Sequence, residues 1–136
     1  MPVEKSVGAV IFRKEKGNIY YLVLHYEVGH WDFVKGKIED DEKMKQTIIR
    51  EAEEETGIND LEFINGFEER IEYFFKRNNK TIFKIVIFLL AETKIEKVKL
   101  SDEHIDFKWL NYEQALDQLT FDNAKTVLKK ANDFLV

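Results

Sequence analysis

The sequence contains no cysteine, a single proline and only six glycines among its 136 residues. The absence of cysteine excludes disulfide bonds, thiolate metal sites and thiol nucleophiles. No long hydrophobic run is present either, because the longest apolar stretch, Ile85 to Ala91, is much shorter than the roughly 20 residues that a membrane-spanning helix needs. No apolar signal segment follows Met1. We therefore expect a cytoplasmic protein with no membrane partner.

An excess of positive charge is also missing. The chain carries 26 Asp and Glu against 21 Lys and Arg, which gives a formal net charge of −5. Proteins that neutralise a nucleic-acid backbone need clustered positive charge, so we expect no stable nucleic-acid partner. The hydrophobic fraction of 44% is enough for a packed core, and the length is typical of one domain. We expect residues 1–136 to form a single domain that acts as a monomer.

The order of the predicted elements favours an α+β fold. Segments rich in β-branched and aromatic residues predict strands, and apolar residues at helical spacing predict helices. The predicted strands are 6–13, 19–26, 31–34, 61–75, 81–91 and 105–110. The predicted helices are 44–55, 112–119 and 121–134, with a loop over 36–42 and a turn over 77–80. Strands and helices do not alternate regularly, which is more typical of a mixed sheet packed against helices than of a doubly wound parallel sheet.

The most informative segment is an acidic helix with three glutamates on one side. At about 100° per residue, Glu51, Glu54 and Glu55 project into one sector of the predicted helix 44–55. Glu55 also lies at the edge of the apolar stripe, so we expect its carboxylate to be partly buried. Three neighbouring carboxylates repel one another unless a cation compensates them, and Mg²⁺ prefers oxygen ligands. The alternative is a solvated acidic helix face, which is common in helices rich in glutamate.

The residues around this helix match a longer pattern with fixed spacing. From Gly36 to Ile58 the pattern is glycine, five residues, glutamate, seven residues, and then Arg-Glu-Ala-Glu-Glu-Glu-Thr-Gly-Ile. This segment resembles the Nudix box at every fixed position, with Ala52 in the aliphatic position. The resemblance implies an α/β/α sandwich with a mixed central β-sheet, in which the box forms a loop-helix-loop metal site. It also implies hydrolysis of a nucleoside diphosphate linked to another group.

The resemblance to the Nudix box also implies roles for individual residues. It implies that Mg²⁺ or Mn²⁺ is bound by the carbonyl of Gly36 and by the carboxylates of Glu51, Glu54 and Glu55. Arg50 precedes Glu54 by four residues, a spacing that lets its guanidinium orient this carboxylate. One carboxylate must accept the proton of the attacking water, and we predict Glu54 for this role, with Glu103 as the alternative.

Two further segments are similar to the asymmetrical diadenosine tetraphosphate hydrolases of that family. Residues 26–36 resemble the segment that precedes the box in those enzymes, and residues 101–110 resemble their Ser-x-Glu-His and Trp motif. Val34 stands where those enzymes usually have proline, and Lys37 where histidine is common. The similarity implies a dinucleoside polyphosphate substrate, with cleavage of diadenosine tetraphosphate to ATP and AMP by attack of water on a phosphorus.

The same similarity implies a set of nucleotide contacts. His30, Lys35 and Lys84 would contact the polyphosphate, and Tyr73 and Phe121 would stack on an adenine. The chemistry of these side chains agrees, because lysine is a compact phosphate-binding charge and aromatic faces stack on bases. Several of them also have an ordinary structural alternative: a turn histidine for His30, an edge-strand lysine for Lys84, and core packing for Tyr73 and Phe121.

Other functions are compatible with much of this pattern. RNA 5′-pyrophosphohydrolases share many of the same residues, and a pyrophosphatase for oxidised nucleoside triphosphates would need a base-specific polar pocket. A ligand sensor without catalysis often lacks a box glutamate, whereas Glu51, Glu54 and Glu55 are all present here. We therefore predict an enzyme.

Overall fold

Eight strands and three helices make up the chain, and the computed structural model describes all 136 residues. The strands are β1 (Val3–Glu15), β2 (Asn18–Tyr26), β3 (Trp31–Asp32), β4 (Val34–Lys37), β5 (Glu62–Phe63), β6 (Glu69–Arg77), β7 (Lys80–Glu92) and β8 (His104–Leu110). The helices are α1 (Met44–Thr56), α2 (Tyr112–Gln118) and α3 (Asp122–Leu135). None of these helices is both long enough and apolar enough to cross a membrane.

All eight strands belong to one mixed sheet. Hydrogen-bonded neighbours run in the order β3-β2-β1-β7-β5, while β4 lies beside β1, β6 beside β7 and β8 beside β2. β1 and β7 are parallel, with Val3 opposite Phe83. Every other pairing is antiparallel. The mixed sheet predicted from the sequence is therefore confirmed.

Hydrophobic side chains alternate along the central strands, so that the sheet buries both of its faces. On β7, Ile87 and Leu89 belong to the core beneath α1. Phe88 and Leu90 belong to the core beneath α2 and α3 on the other face. Helices on both faces of one sheet give the α/β/α sandwich that the box resemblance implied.

The predicted strand 31–34 and loop 36–42 are wrong in detail. The first is divided between β3, which pairs with β2, and β4, which pairs with β1. Gly36 and Lys37 belong to β4 rather than to a loop, because Gly36 pairs with Val7 of β1. Strand pairing set by the whole sheet overrides the local polarity of this segment.

The predicted strand 61–75 is also wrong, because the chain is interrupted between β5 and β6. Gly66 lies in the interruption with φ of 93°, a conformation that glycine adopts readily and other residues rarely adopt. Phe67 follows and is buried in the core beneath α2 and α3. The chain thus leaves the sheet for a few residues to fill this core.

A tight turn joins β6 to β7 and sets the register of the hairpin. Asn78 and Asn79 have φ of 52° and 63°, as the two central residues of a type I′ turn require. The turn places Tyr73 of β6 opposite Lys84 of β7. Residues opposite each other in neighbouring strands share a face of the sheet, so these two side chains meet on the face covered by α2 and α3.

Candidate active site

Arg50 of α1 is held by Glu42 of the preceding loop. Its Nε donates to Glu42 Oε2 at 2.8 Å and its Nη2 donates to Glu42 Oε1 at 3.1 Å. Glu42 also accepts hydrogen bonds from the Glu39 amide and the Thr47 hydroxyl, each at 2.9 Å. Arg50 is the largest cause that lowers the pKa of Glu42 to about 2. An ionised Glu42 therefore anchors the loop before α1 to the guanidinium.

The third nitrogen of the Arg50 guanidinium faces two of the predicted metal-binding glutamates. Nη1 donates to Glu51 Oε1 at 2.7 Å and lies 3.4 Å from Glu54 Oε2. A Cβ atom at Gly36 would lie 2.6 Å from Glu51 Oε1, so any other residue here would displace the Glu51 side chain. Glycine at this position therefore lets β4 approach Glu51. Glu54 is directed toward solvent, with 59% of its side chain exposed.

Glu55 is buried, in agreement with its predicted position at the edge of the apolar stripe, and is 2% exposed. Neither of its carboxylate oxygens has a hydrogen-bond partner, although Oε1 lies 3.2 Å from His104 Nε2. Burial is the largest cause that raises the pKa of Glu55 from its usual 4.5 to about 10, and the nearby Glu51 and Glu103 contribute to the same increase. A buried carboxylate without a partner is costly unless a proton or a cation compensates it.

A second acidic residue joins Glu55 at the start of β8. Ligand atoms of Glu55, Glu103 and His104 all lie within 4.8 Å of one another, a spacing that suits a metal ion. The amide of Ser101 donates to the Glu55 carbonyl at 3.2 Å, which fixes this segment to the end of α1. Glu103 was predicted from the sequence, whereas His104 had no predicted role although it belongs to the Ser-x-Glu-His motif. The unpartnered oxygens of Glu55 fit a hard divalent cation.

All five predicted nucleotide-contacting residues line one cavity of about 690 Å³. Its walls come from β4, β6, β7, the segment before β3 and the start of α3. The predicted residues in its lining are His30, Lys35, Tyr73, Lys84 and Phe121. The residues that sequence analysis did not assign include Tyr26 and Asp32.

Lys35 is held in this cavity by Asp32. Lys35 Nζ donates to Asp32 Oδ2 at 3.1 Å, and the other carboxylate oxygen accepts from the Phe33 amide at 2.8 Å. Burial lowers the pKa of Lys35, but Asp32 and Tyr73 outweigh this effect and the net pKa is raised. Lys35 is therefore fully charged at neutral pH. Only the Asp-x-x-Lys spacing of 32–35 could have pointed to this pair.

Lys84 has a carboxylate partner as well. Its Nζ lies 3.4 Å from Glu4 Oε1, a residue that sequence analysis did not single out. Burial lowers the pKa of Lys84, Glu4 opposes this effect, and the neighbouring Lys35 lowers the pKa again. The lysine thus interrupts an apolar strand, and its side chain is largely buried in the cavity wall.

Aromatic rings form the remaining wall and connect the cavity with the acidic cluster. The Tyr26 ring stacks on His30 with centroids 4.6 Å apart and meets the edge of His104 at 4.3 Å. His30 lies 5.4 Å from Phe121, which is half-exposed at the cavity rim rather than buried in the core. Burial lowers the pKa of His30. Tyr26 therefore separates the acidic cluster from the cavity by the thickness of one ring.

The remaining predicted aromatic contact, Tyr73, lies between the cavity and the hydrophobic core. Its ring lines the cavity and also packs against the core beneath α2 and α3. Phe75 lies on the same face of β6, with ring centroids 6.2 Å apart. The strand thus presents a half-buried aromatic face to the cavity.

Known proteins resemble this chain in both sequence and fold. A NUDIX domain model matches residues 2–130. The asymmetrical bis(5'-nucleosyl)-tetraphosphatase of Mus musculus is 34% identical over 96% of this chain and 95% of the relative, and that of Caenorhabditis elegans is 32% identical over 98% and 97%. A solved binary complex of C. elegans Ap4A hydrolase superimposes with a TM-score of 0.85, at 31% identity and 97% coverage of both chains. The chain belongs to the Nudix family.

Proposed function

We propose that this protein hydrolyses dinucleoside polyphosphates in a metal-dependent reaction and cleaves diadenosine tetraphosphate to ATP and AMP. The observation that carries the proposal is one cavity whose lining includes three basic residues and four aromatic ones, with one of these rings, Tyr26, lying between the cavity and the acidic cluster. Relatives with the asymmetrical tetraphosphatase activity in their names match nearly the whole chain. Charged side chains for phosphates and flat rings for bases are the two features that such a substrate needs.

The residues that would hold the metal ion are those of the box helix and its neighbours. The proposed ligands are the Gly36 carbonyl and the carboxylates of Glu51, Glu54 and Glu55, with Mg²⁺ or Mn²⁺ as the ion. The unpartnered oxygens of buried Glu55 support this assignment. When bound, such an ion polarises the bridging phosphates and neutralises the negative charge that develops during attack.

The side chains of the cavity hold the substrate in this proposal. Lys35 and Lys84 bind phosphate oxygens as point charges, and His30 donates a hydrogen bond to a third. Tyr73 and Phe121 stack on an adenine. Asp32 accepts a hydrogen bond from Lys35, and Glu4 accepts one from Lys84. Both ammonium groups are therefore held in place before the substrate binds. Fixed charges lose little conformational entropy on binding.

A carboxylate accepts the proton of the attacking water in this mechanism. We assign this role to Glu54, whose exposed side chain is oriented by Arg50, with Glu103 as the alternative. The water oxygen forms a bond to one phosphorus, the bond from that phosphorus to its bridging oxygen breaks, and the proton passes to the carboxylate. The bridging oxygen leaves with the other product, so that ATP and AMP account for all atoms of the substrate and water.

A panel of substrates in the presence of Mg²⁺ tests the proposed function. It contains diadenosine tetraphosphate, 5′-triphosphorylated RNA, nucleotide sugars and oxidised dGTP. We expect diadenosine tetraphosphate to have the highest kcat/KM. Dominant cleavage of RNA or oxidised dGTP would contradict the assigned substrate and leave the family unchanged. We also propose that residues 1–136 form a single domain that acts as a monomer in the cytoplasm. Sedimentation tests the oligomeric state, and cell fractionation tests the location.

A further inference from the structure

Glu4, near the start of β1, has three cationic neighbours, one of which, Lys84, lines the nucleotide cavity. Its Oε1 lies 3.4 Å from Lys84 Nζ and 3.6 Å from Lys37 Nζ. Its other carboxylate oxygen accepts a hydrogen bond from Arg77 Nη1. These partners come from β7, β4 and β6, so the sheet gathers four strands around one carboxylate.

The register of the sheet explains why this cluster faces the substrate cavity. Glu4 lies opposite Lys84, and Lys84 lies opposite Tyr73. Because opposite residues share a face, the carboxylate points to the same side as two residues of the cavity lining. Only 16% of the Glu4 side chain and 12% of the Lys84 side chain are exposed. A carboxylate beside a site for polyphosphate repels the substrate, so Glu4 would weaken binding unless it also has a favourable effect on the site.

The favourable effect of Glu4 is that its negative charge reduces the repulsion among the neighbouring cations. Lys84 is largely buried close to Lys35 and Lys37, whose positive charges repel its ammonium group. Arg77 is the largest cause that lowers the pKa of Glu4 to about 2, so Glu4 is ionised at neutral pH. One negative charge cannot neutralise three cations, and the cluster therefore keeps positive charge toward the cavity.

We infer that Glu4 is a positioning residue that holds the ammonium group of Lys84 in the cavity wall, where Lys84 contacts the polyphosphate. The inference rests on the proposed function, because that function assigns the phosphate contact to Lys84. Glu4 itself does not touch the substrate. Without its carboxylate, the cations repel one another, the Lys84 side chain loses its fixed place, and the polyphosphate binds less tightly although the protein has become less acidic.

Glu4→Gln tests this inference, since glutamine keeps the size and removes the charge. We expect the KM for diadenosine tetraphosphate with Mg²⁺ to rise about tenfold, as for the loss of one charge-assisted contact, with kcat within about twofold of the original. The Kd for inorganic tripolyphosphate, measured by calorimetry, should rise by a similar factor. Glu72→Gln is the matched control, because it removes a 2.8 Å ion pair with Arg70 on the opposite face of the same hairpin. That control should change neither constant.

A double variant shows whether Glu4 acts through Lys84. If it does, Glu4→Gln combined with Lys84→Gln binds tripolyphosphate no more weakly than Lys84→Gln alone. Additive effects, or an unchanged or lower Kd in Glu4→Gln, would overturn the inference. Should Glu4→Gln lower the melting temperature, both constants are measured below its unfolding transition. Failure of the original enzyme to cleave diadenosine tetraphosphate would instead count against the proposed function, while the tripolyphosphate measurement still tests Glu4.

Discussion

Arg50 donates hydrogen bonds to both carboxylate oxygens of Glu42, from Nε at 2.8 Å and from Nη2 at 3.1 Å. This paired contact fixes the plane of the guanidinium, so that Nη1 is directed at Glu51 and Glu54. The first glutamate of the box therefore serves to hold an arginine, and the arginine in turn orients two of the proposed metal ligands. Fixing ligands by such an outer contact is a common feature of protein metal sites.

Glu42→Gln is expected to weaken activation by Mg²⁺ about 10- to 100-fold, because the guanidinium loses the charged partner that sets its direction. The measurement is a titration of hydrolytic activity with Mg²⁺. Glu53→Gln is the control, since Glu53 lies on the same helix, is exposed and forms no ion pair. Equal Mg²⁺ dependence in the two variants would show that Glu42 has no influence on the ligands.

Glu55 should make the metal-free protein less stable as the pH rises. Its pKa is raised from 4.5 to about 10, so between these values the folded chain holds one proton more than the unfolded chain. Stability therefore falls across this window. We expect the melting temperature in EDTA to fall by more than about 5 °C between about pH 6 and about pH 9. Glu55→Gln, which stays neutral, should show a much smaller decrease.

Addition of Mg²⁺ at alkaline pH provides the second part of that test. A cation bound to ionised Glu55 should raise the melting temperature of the original protein and leave that of Glu55→Gln almost unchanged. The same pH dependence in both proteins would mean that another group is responsible.

Glu54→Gln is expected to lower kcat about 10²- to 10⁴-fold while the fold is retained, because the attacking water loses its proton acceptor. Circular dichroism and the melting temperature check the fold. Glu103→Gln is measured beside it. A larger loss in Glu103→Gln would assign the proton transfer to Glu103, and full activity of Glu54→Gln would exclude Glu54 from the role.

Tyr73→Ala is expected to raise KM about 5- to 150-fold, which corresponds to the loss of one stacked base. Tyr73 also packs against the core beneath α2 and α3, so the melting temperature should decrease as well. Tyr73→Phe keeps the ring and is expected to keep KM nearly unchanged. If Tyr73→Ala lowers stability without any change in KM, the ring has only a packing role.

The box was predictable because its residues are close in the sequence and their spacing on one helix determines which side chains meet. Helical geometry alone places Glu51, Glu54 and Glu55 on one side, and the position of Glu55 at the edge of the apolar stripe predicts that its carboxylate is partly buried. The partners of the lysines were not predictable in this way. Glu4 and Lys84 are separated by 80 positions and meet only through the parallel pairing of β1 with β7.

Local polarity also misled the prediction of strands. The polar segment 36–42 was predicted to form a loop, but Gly36 pairs with β1 and thereby approaches Glu51. The break between β5 and β6 depends on Gly66 and on the core that Phe67 fills. Both features follow from packing across the whole sheet, which a single sequence does not display.

Identification of the products formed from diadenosine tetraphosphate tests the central claim most directly. The original enzyme is incubated with the substrate and Mg²⁺, and the nucleotides are separated by chromatography. We predict equal amounts of ATP and AMP, with no cleavage in the presence of EDTA. Two molecules of ADP, or no cleavage with Mg²⁺, would contradict the account.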